Sequence, residues 1–147
     1  MAPPRVPMES ITFRIGFDVA AFLALAQRVW PRAYSEEAAR EALGRTINVG
    51  AWSGDTLVGT VRVLTDGYFY ATIPEIFVAP EYQRRGIGAQ LMREALAHAP
   101  RGKVAFGAQP QSVAFFDRIG CQRTLVGFVA SAPLPETAAT PLSTSGN

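Results

Sequence analysis

The sequence predicts one α/β domain whose elements run β-αα-βββ-α-β-α-β, with a mixed, mostly antiparallel central sheet and flanking helices. Three observations carry this prediction. Two short turn signals, Ser53-Gly54-Asp55 and Asp66-Gly67, separate apolar, β-branched runs and mark antiparallel hairpins. A glycine-containing turn at Gly86-Ile87-Gly88 opens a segment whose apolar residues Ile87, Leu91, Met92, Ala95 and Leu96 share one helical face. Strand-like and helix-like patterns then alternate to the end of the folded unit.

Residues 10–14 alternate as a short strand. Asp18 is the expected N-cap of a helix through Ala20, Phe22, Leu23, Leu25, Ala26 and Val29, which ends near Trp30-Pro31 because proline breaks a helix interior. Ser35 caps a second helix with Glu36 and Glu37 in its first turn, where acids meet the positive end of the dipole, and Gly44 stops it. Residues 47–52, 57–64 and 68–78 read as three successive strands. The long helix runs from about 86 to 99 and is ended by Pro100 and Gly102. Residues 104–108 read as a strand, 111–118 as a helix stopped by Gly120, and 121–130 as the last strand.

The 147 residues amount to one domain, enough to bury roughly 70% of the unfolded surface around a single core. Hydrophobic residues at 48% and charged residues at 18% exclude wholesale disorder and a coiled coil. No run approaches the roughly 20 apolar residues of a bilayer span, and the opening Met1-Ala-Pro-Pro-Arg-Val-Pro lacks the apolar segment of a secretory signal. A cytoplasmic location without a membrane partner is therefore expected. The lone Cys121 cannot form an internal disulfide, and with His98 as the single histidine no Cys/His metal site is expected. The net charge of +2 is spread over scattered, mostly Arg residues, so nucleic acid is not an expected partner. Segments 1–9 and 132–147 are rich in proline, and the latter also in Thr and Ser; both are expected to be flexible around a domain at 10–131.

Chemistry concentrates in the stretch from Ile76 to Ala89, an apolar strand leading through a glycine turn into a helix. Such a turn aims several free backbone N–H groups at one point, where the positive end of the helix dipole adds to them and an anion is held. Gly86 and Gly88 let the backbone approach a diphosphate, and Arg84 and Arg85 add charge beside it. A P-loop would need Gly-Lys-Ser/Thr, and the dinucleotide fingerprint a third glycine where Leu91 stands. Gln83-Arg84-Arg85-Gly86-Ile87-Gly88 instead resembles motif A of the GNAT superfamily of N-acetyltransferases, Q/R-x-x-G-x-G/A. The lead-in Val78-Ala79-Pro80-Glu81-Tyr82 is similar to the family's V-x-P-x-Y/H, and the resemblance covers about residues 10–128. Gln109, Phe116, Gly120 and Cys121 hold the places where members often carry Asn, Tyr, Gly and an aromatic, so the spacing matches while three residues differ.

The resemblance implies a sheet of six or seven strands, acetyl-CoA as co-substrate, and direct acetyl transfer to a primary amine of a small molecule or peptide. It implies that the pantetheine arm pairs with backbone around Ile76, Phe77 and Val78, in a gap opened where Pro74 interrupts the ladder. The pyrophosphate would lie on the amides of Arg84, Arg85, Gly86, Ile87, Gly88 and Ala89. Gln109 and Ser112 would bond the arm or phosphate, and Phe115 and Phe116 would pack against it. The acceptor pocket would be shaped by Trp30 and Tyr34 as an aromatic wall, with Arg32 holding an acceptor carboxylate. The alternative is that Trp30 is core and Arg32 solvated. A homodimer, common in the family, is a further expectation whose interface the sequence does not locate.

An alkylamine has a pKa near 10, so transfer needs a base near the thioester. Glu75 is the candidate, flanked by a run that is apolar on both faces, where burial of an isolated carboxylate would raise its pKa. Its alternative role is pairing with an arginine such as Arg62. The backbone N–H of Phe77 or Val78 would hold the oxyanion. Phe116 lacks the hydroxyl with which many relatives protonate the leaving thiolate; Tyr34, Tyr68 and Tyr70 are possible substitutes. His98 reads as a helix C-terminal charge and Cys121 as core. The rival to an enzyme is an acyl-CoA-binding module with little or no turnover.

Overall fold

The computed structural model describes residues 10–136; the expected flexible segment 1–9 and the expected tail from 137 onward lie outside the described residues. The chain runs β1 (Ile11–Ile15), α1 (Val19–Val29), α2 (Glu36–Gly44), β2 (Ile47–Ser53), β3 (Thr56–Thr65), β4 (Ala71–Thr72), β5 (Ile76–Val78), α3 (Ile87–Ala97) and α4 (Val113–Arg118). Asp18 and Ser35 cap α1 and α2 as expected, accepting from the amides of Ala21 and Ala38. The sheet has five antiparallel-paired strands in the order β1-β2-β3, with β4 and β5 lying in succession along the other side of β3.

β4 and β5 replace the single expected strand over 68–78. Leu64 pairs with Thr72 but Val61 pairs with Ile76, so three steps along β3 face four along its partner. One extra residue is accommodated between Ile73 and Glu75, around Pro74, which has no N–H to give to the ladder. Residues 68–70 belong to the turn instead, where the Asp66 carboxylate accepts from the amides of Tyr68, Phe69 and Tyr70.

Two other expected strands do not form, which is why the sheet falls short of six or seven. In the stretch 104–108 only Ala105 bridges, in parallel, to Thr72, because two-residue β4 offers little edge to pair with. The stretch 121–130 forms no strand; apart from Cys121 it is exposed, so its apolar pattern alone creates no strand without an edge beside it.

The core lies between the sheet and α3. Val61 and Val63 of β3 cluster with Ile87, Leu91, Met92 and Ala95 of α3. Gly59 makes the approach close: a Cβ there would lie 3.2 Å from Ile87 Cγ2 and Leu91 Cδ1 and 3.3 Å from the Phe77 carbonyl. On the opposite face α1 and α2 pack through Phe22, Ala26 and Leu43, with Phe77 and Tyr34 joining them. The sheet thus has an α3 face and an α1/α2 face.

Gly59→Ala is expected to destabilise the protein by about 1–3 kcal/mol, since two core side chains and a backbone carbonyl already occupy the space. Urea unfolding of the variant beside the parent checks this.

Candidate acetyl-CoA site

The end of β5 and the start of α3 are joined by a loop whose backbone is held from both sides. Pro80–Tyr82 make a single 3-10 turn, with the Tyr82 amide donating to Ala79 and the Gln83 amide to Pro80. Arg84 (φ 60°) and Gly86 (φ 84°) then take left-handed backbone, which reverses the chain into α3. Left-handed geometry costs a non-glycine residue roughly 1–2 kcal/mol, so Arg84 stores strain at the point where the motif predicts a ligand.

Gly86 is the N-cap of α3 and has no side chain to cap it; the first bond into the helix is Gln90 N–H to the Gly86 carbonyl, 3.1 Å. The amides of Ile87, Gly88 and Ala89 precede that bond and stand at the positive end of the helix dipole. The glycine turn and helix start expected from sequence are present here. Gly88 has a second reason to be glycine, since a Cβ there would lie 3.0 Å from Phe115 Cζ. This contact brings α4 against the cradle.

The register of β5 separates the two oxyanion candidates. Arg62 N–H donates to the Glu75 carbonyl (3.2 Å) and Ala79 N–H to the Val58 carbonyl (2.8 Å), so alternate residues of this strand face β3. Phe77, opposite Thr60, falls between them and spends its backbone groups in the ladder. Ile76 and Val78 point their N–H groups to the open edge, and the Val78 carbonyl accepts from Gln83 Nε2 at 3.0 Å. Val78 is thus the donor available at the edge, and Gln83 ties the motif to the strand. On that side the chain at Ala105 bridges to Thr72, and among the described residues no strand pairs with Ile76–Val78 there.

Glu75 and Phe77 lie on the α1/α2 face. Arg62 Nε donates to both carboxylate oxygens of Glu75, at 3.0 and 2.9 Å, with both side chains about one-fifth exposed. The carboxylate is therefore not isolated; the arginine pairing is the contact observed. Two of its roughly four lone-pair sites are occupied, which leaves room for a water or an amine.

Phe116 is buried in the core, its ring 4.7 Å from Phe106 and 5.0 Å from Phe115, rather than exposed to line an arm. Gln109 is exposed and precedes the turn Pro110–Ser112, and Ser112 is half-buried at the start of α4. Trp30 is 46% exposed and is not core. Tyr34 donates to the Trp30 carbonyl (2.7 Å), and Arg32 stacks 4.9 Å from its ring. The small cleft on the α1/α2 face is lined by Phe17, Phe22, Trp52 and Thr60 among others, and by none of Trp30, Arg32 or Tyr34. Tyr68 and Tyr70 are exposed on the turn, and the Tyr34 hydroxyl is engaged by the Trp30 carbonyl.

One functional contact was missed from sequence. Arg28 Nη2 of α1 donates to both oxygens of Glu81, at 2.7 and 2.6 Å, clamping α1 to the cradle loop. Nothing local marks a pair 53 residues apart. Arg85 also stacks 5.1 Å from the Tyr82 ring. The Cys121 thiol is half-buried, its pKa pushed up by burial and then by Asp117, in keeping with a core role. Among the described residues no group of three or more His, Cys, Asp or Glu is placed to hold a metal, and no helix is long and apolar enough to cross a membrane.

The chain is thus an α/β protein with a glycine turn at the head of a helix, beside the edge of a short strand. The acetyltransferase (GNAT) domain family matches residues 18–130, and the chain belongs to that family. GCN5-related N-acetyltransferase 2, chloroplastic, from Arabidopsis thaliana is 36% identical over 67 residues, 44% of this chain and 26% of that protein. Probable acetyltransferase TAP2 from Glycine max is 28% identical over 133 residues, 80% of this chain and 54% of that protein. The chain therefore spans about half or less of the length of these curated relatives. Among solved structures, GNAT family protein SP0256 from Streptococcus pneumoniae TIGR4 superposes with TM-score 0.72 at 26% identity, covering 84% of this chain and 98% of that one. Aminoglycoside N-acetyltransferase AAC(6')-Iy in complex with CoA shares the fold at 18% identity, with TM-score 0.65 over 83% of this chain and 95% of that one.

The Arg28 guanidinium, first through its hydrogen bonds, holds the Glu81 carboxyl below its ordinary 4.5. The clamp's contribution to stability is full above that ordinary value and is lost as pH falls through the lower folded one. Glu81→Gln is expected to lower stability at neutral pH and to reduce its acid dependence, read from melting temperatures over an acid series.

Proposed function

We propose that this domain moves an acetyl group directly from acetyl-CoA to a primary amine of a small molecule or peptide. The observation that supports it most is the alignment of three parts: the uncapped amides at the start of α3, the left-handed pair Arg84 and Gly86, and the open Val78 N–H at the edge of β5. The diphosphate rests on the helix start, with Arg84 and Arg85 adding charge, and the pantetheine arm follows the edge at Ile76 and Val78. Phe115 flanks the cradle. Gln109 and Ser112 bond the arm from the α4 side.

The amine approaches from the α1/α2 face, where Glu75 and Phe77 project. Its nitrogen attacks the thioester carbonyl, and the Val78 N–H receives the charge that develops on oxygen. Glu75, oriented by Arg62, accepts the amine proton directly or through one water. The C–S bond then breaks and CoA leaves as thiolate; with a thiol pKa near 8.5 it takes its proton from solvent without a tyrosine, which is compatible with Phe116 being core. Arg32 and Tyr34 form the rim of the acceptor side, with Trp30 exposed beside them. The cytoplasmic location belongs to this proposal and rests on sequence alone.

A second reading, a CoA-binding module without turnover, is favoured by two facts. Phe116 carries no hydroxyl, and Glu75 is committed to Arg62. Thiol release from acetyl-CoA over a panel of primary amines separates the two readings. Glu75→Gln is expected to lower kcat by about 10²-fold or more while leaving the KM for acetyl-CoA unchanged, the range for loss of a general base. An unchanged kcat would assign Glu75 to its ion pair, and no turnover with any amine would leave the binding module.

A further inference from the structure

We propose that the turn 66–70 is a docking tip for an anionic lipid surface, setting Tyr68, Phe69 and Tyr70 into the headgroup layer while Arg101 and Lys103 meet its negative charge.

Three consecutive aromatic side chains stand in water at this turn. Tyr68 is 76% exposed, Phe69 80% and Tyr70 57%, and Leu64 is exposed at the base of the same turn. The rings of Tyr68 and Phe69 lie side by side, 6.5 Å apart and tilted by 45°. A contiguous apolar cluster of this kind marks a contact surface.

The backbone beneath the rings is closed on itself. All five amides from Asp66 to Tyr70 are bonded inside the turn. That of Asp66 donates to the Tyr70 carbonyl at 3.3 Å and that of Gly67 to Thr65 Oγ1 at 2.9 Å. Those of Tyr68, Phe69 and Tyr70 donate to Asp66 Oδ1 at 2.8, 2.8 and 3.1 Å. A turn that stays in water has no need of this, since water satisfies such groups. A turn that enters an apolar layer does need it, because an unpaired donor there is costly. The same bonds fix the turn before contact, so docking orders little more of the chain. The Asp66 carboxyl, held below its ordinary 3.8 by the Tyr68 amide and then by the next two, turns its charge onto these dipoles.

The charge beside the tip has the sign that an anionic surface requires. Ala105 bridges in parallel to Thr72 and Lys103 is extended (φ −127°, ψ 136°), so the register carries Lys103 to the level of Tyr70. Arg101 lies just before it, in the single turn Pro100–Gly102. Both are exposed, and among the described residues neither has an ion pair.

A protruding turn encloses nothing, which disfavours a peptide as the occupant, and two cations fall short of the positive groove that tracks a nucleic-acid backbone. A lipid surface needs only aromatic rings at headgroup level and cations above them. The expectation of no membrane partner rests on the lack of a spanning run, which a peripheral contact does not require. Thr65 pairs with Ala71 at one end of β3 and Gly59 with Val78 at the other, so docking leaves the start of α3 open.

Co-sedimentation of the full chain with vesicles of phosphatidylcholine, with and without phosphatidylserine, tests this independently of any acyl transfer. Binding is expected to the mixed vesicles, weakening as salt rises, with little to the neutral ones. Phe69→Ser and Lys103→Glu are each expected to lower partitioning by about tenfold or more. Both side chains are exposed, so circular dichroism and the thermal response to acetyl-CoA are expected to match the parent. A parent that does not sediment with the mixed vesicles overturns the proposal, as does equal binding to the neutral ones. Binding that either variant retains in full would place the contact elsewhere and overturn it too. Capture of a single-stranded oligonucleotide that Phe69→Ser abolishes, without vesicle binding, would make the tip a stacking platform for bases instead.

Discussion

The site depends on the contact of α3 with β3 at Gly59. Because that residue has no side chain, Ile87 and Leu91 press directly on the strand, and the first turn of α3 is carried to the end of β5. A helix start is an anion site wherever it occurs. This one stands beside a strand edge whose next neighbour bridges only at Thr72. The extra residue around Pro74 completes the geometry, since it shifts the register so that Ile73 is buried while Glu75 and Phe77 share the α1/α2 face.

Around this frame, polar contacts fix the loop rather than the core. Gln83 reaches back to the Val78 carbonyl, Arg28 holds Glu81 from α1, and Arg85 lies over Tyr82. Two of these contacts anchor the loop to α1 and β5 and the third is internal to it, and together they flank Arg84 and its strained conformation. The Arg28–Glu81 pair is largely exposed and worth little as an isolated ion pair. It links α1 to the loop that precedes α3.

The glycine turn and the helix after it were legible in the sequence because their cause is local: the glycines, the arginines beside them and the apolar stripe of the helix are contiguous. The caps Asp18 and Ser35 and the interruption at Pro74 were legible for the same reason. The role of Gly88 was only half legible, because Phe115 reaches it from α4. Phe77 and Val78 could not be told apart until the register decided which amide faces the ladder. Glu75 was weighed as base or as partner of Arg62, and only the cross-strand pairing places them together. The stretch 121–130 carries a strand's composition but pairs with no edge among the described residues, which composition cannot reveal.

The central claim is that the start of α3 binds the diphosphate of CoA, and the most direct measurement is thermal unfolding with CoA, acetyl-CoA and pantetheine, for the parent and for Gly86→Ala. A ligand at about 100 times its Kd adds roughly 2.7 kcal/mol. The account predicts a rise of several degrees with CoA and acetyl-CoA, little with pantetheine, and a smaller CoA effect in the variant, whose Cβ meets left-handed backbone. Equal effects of pantetheine and CoA, or none from either, would contradict it.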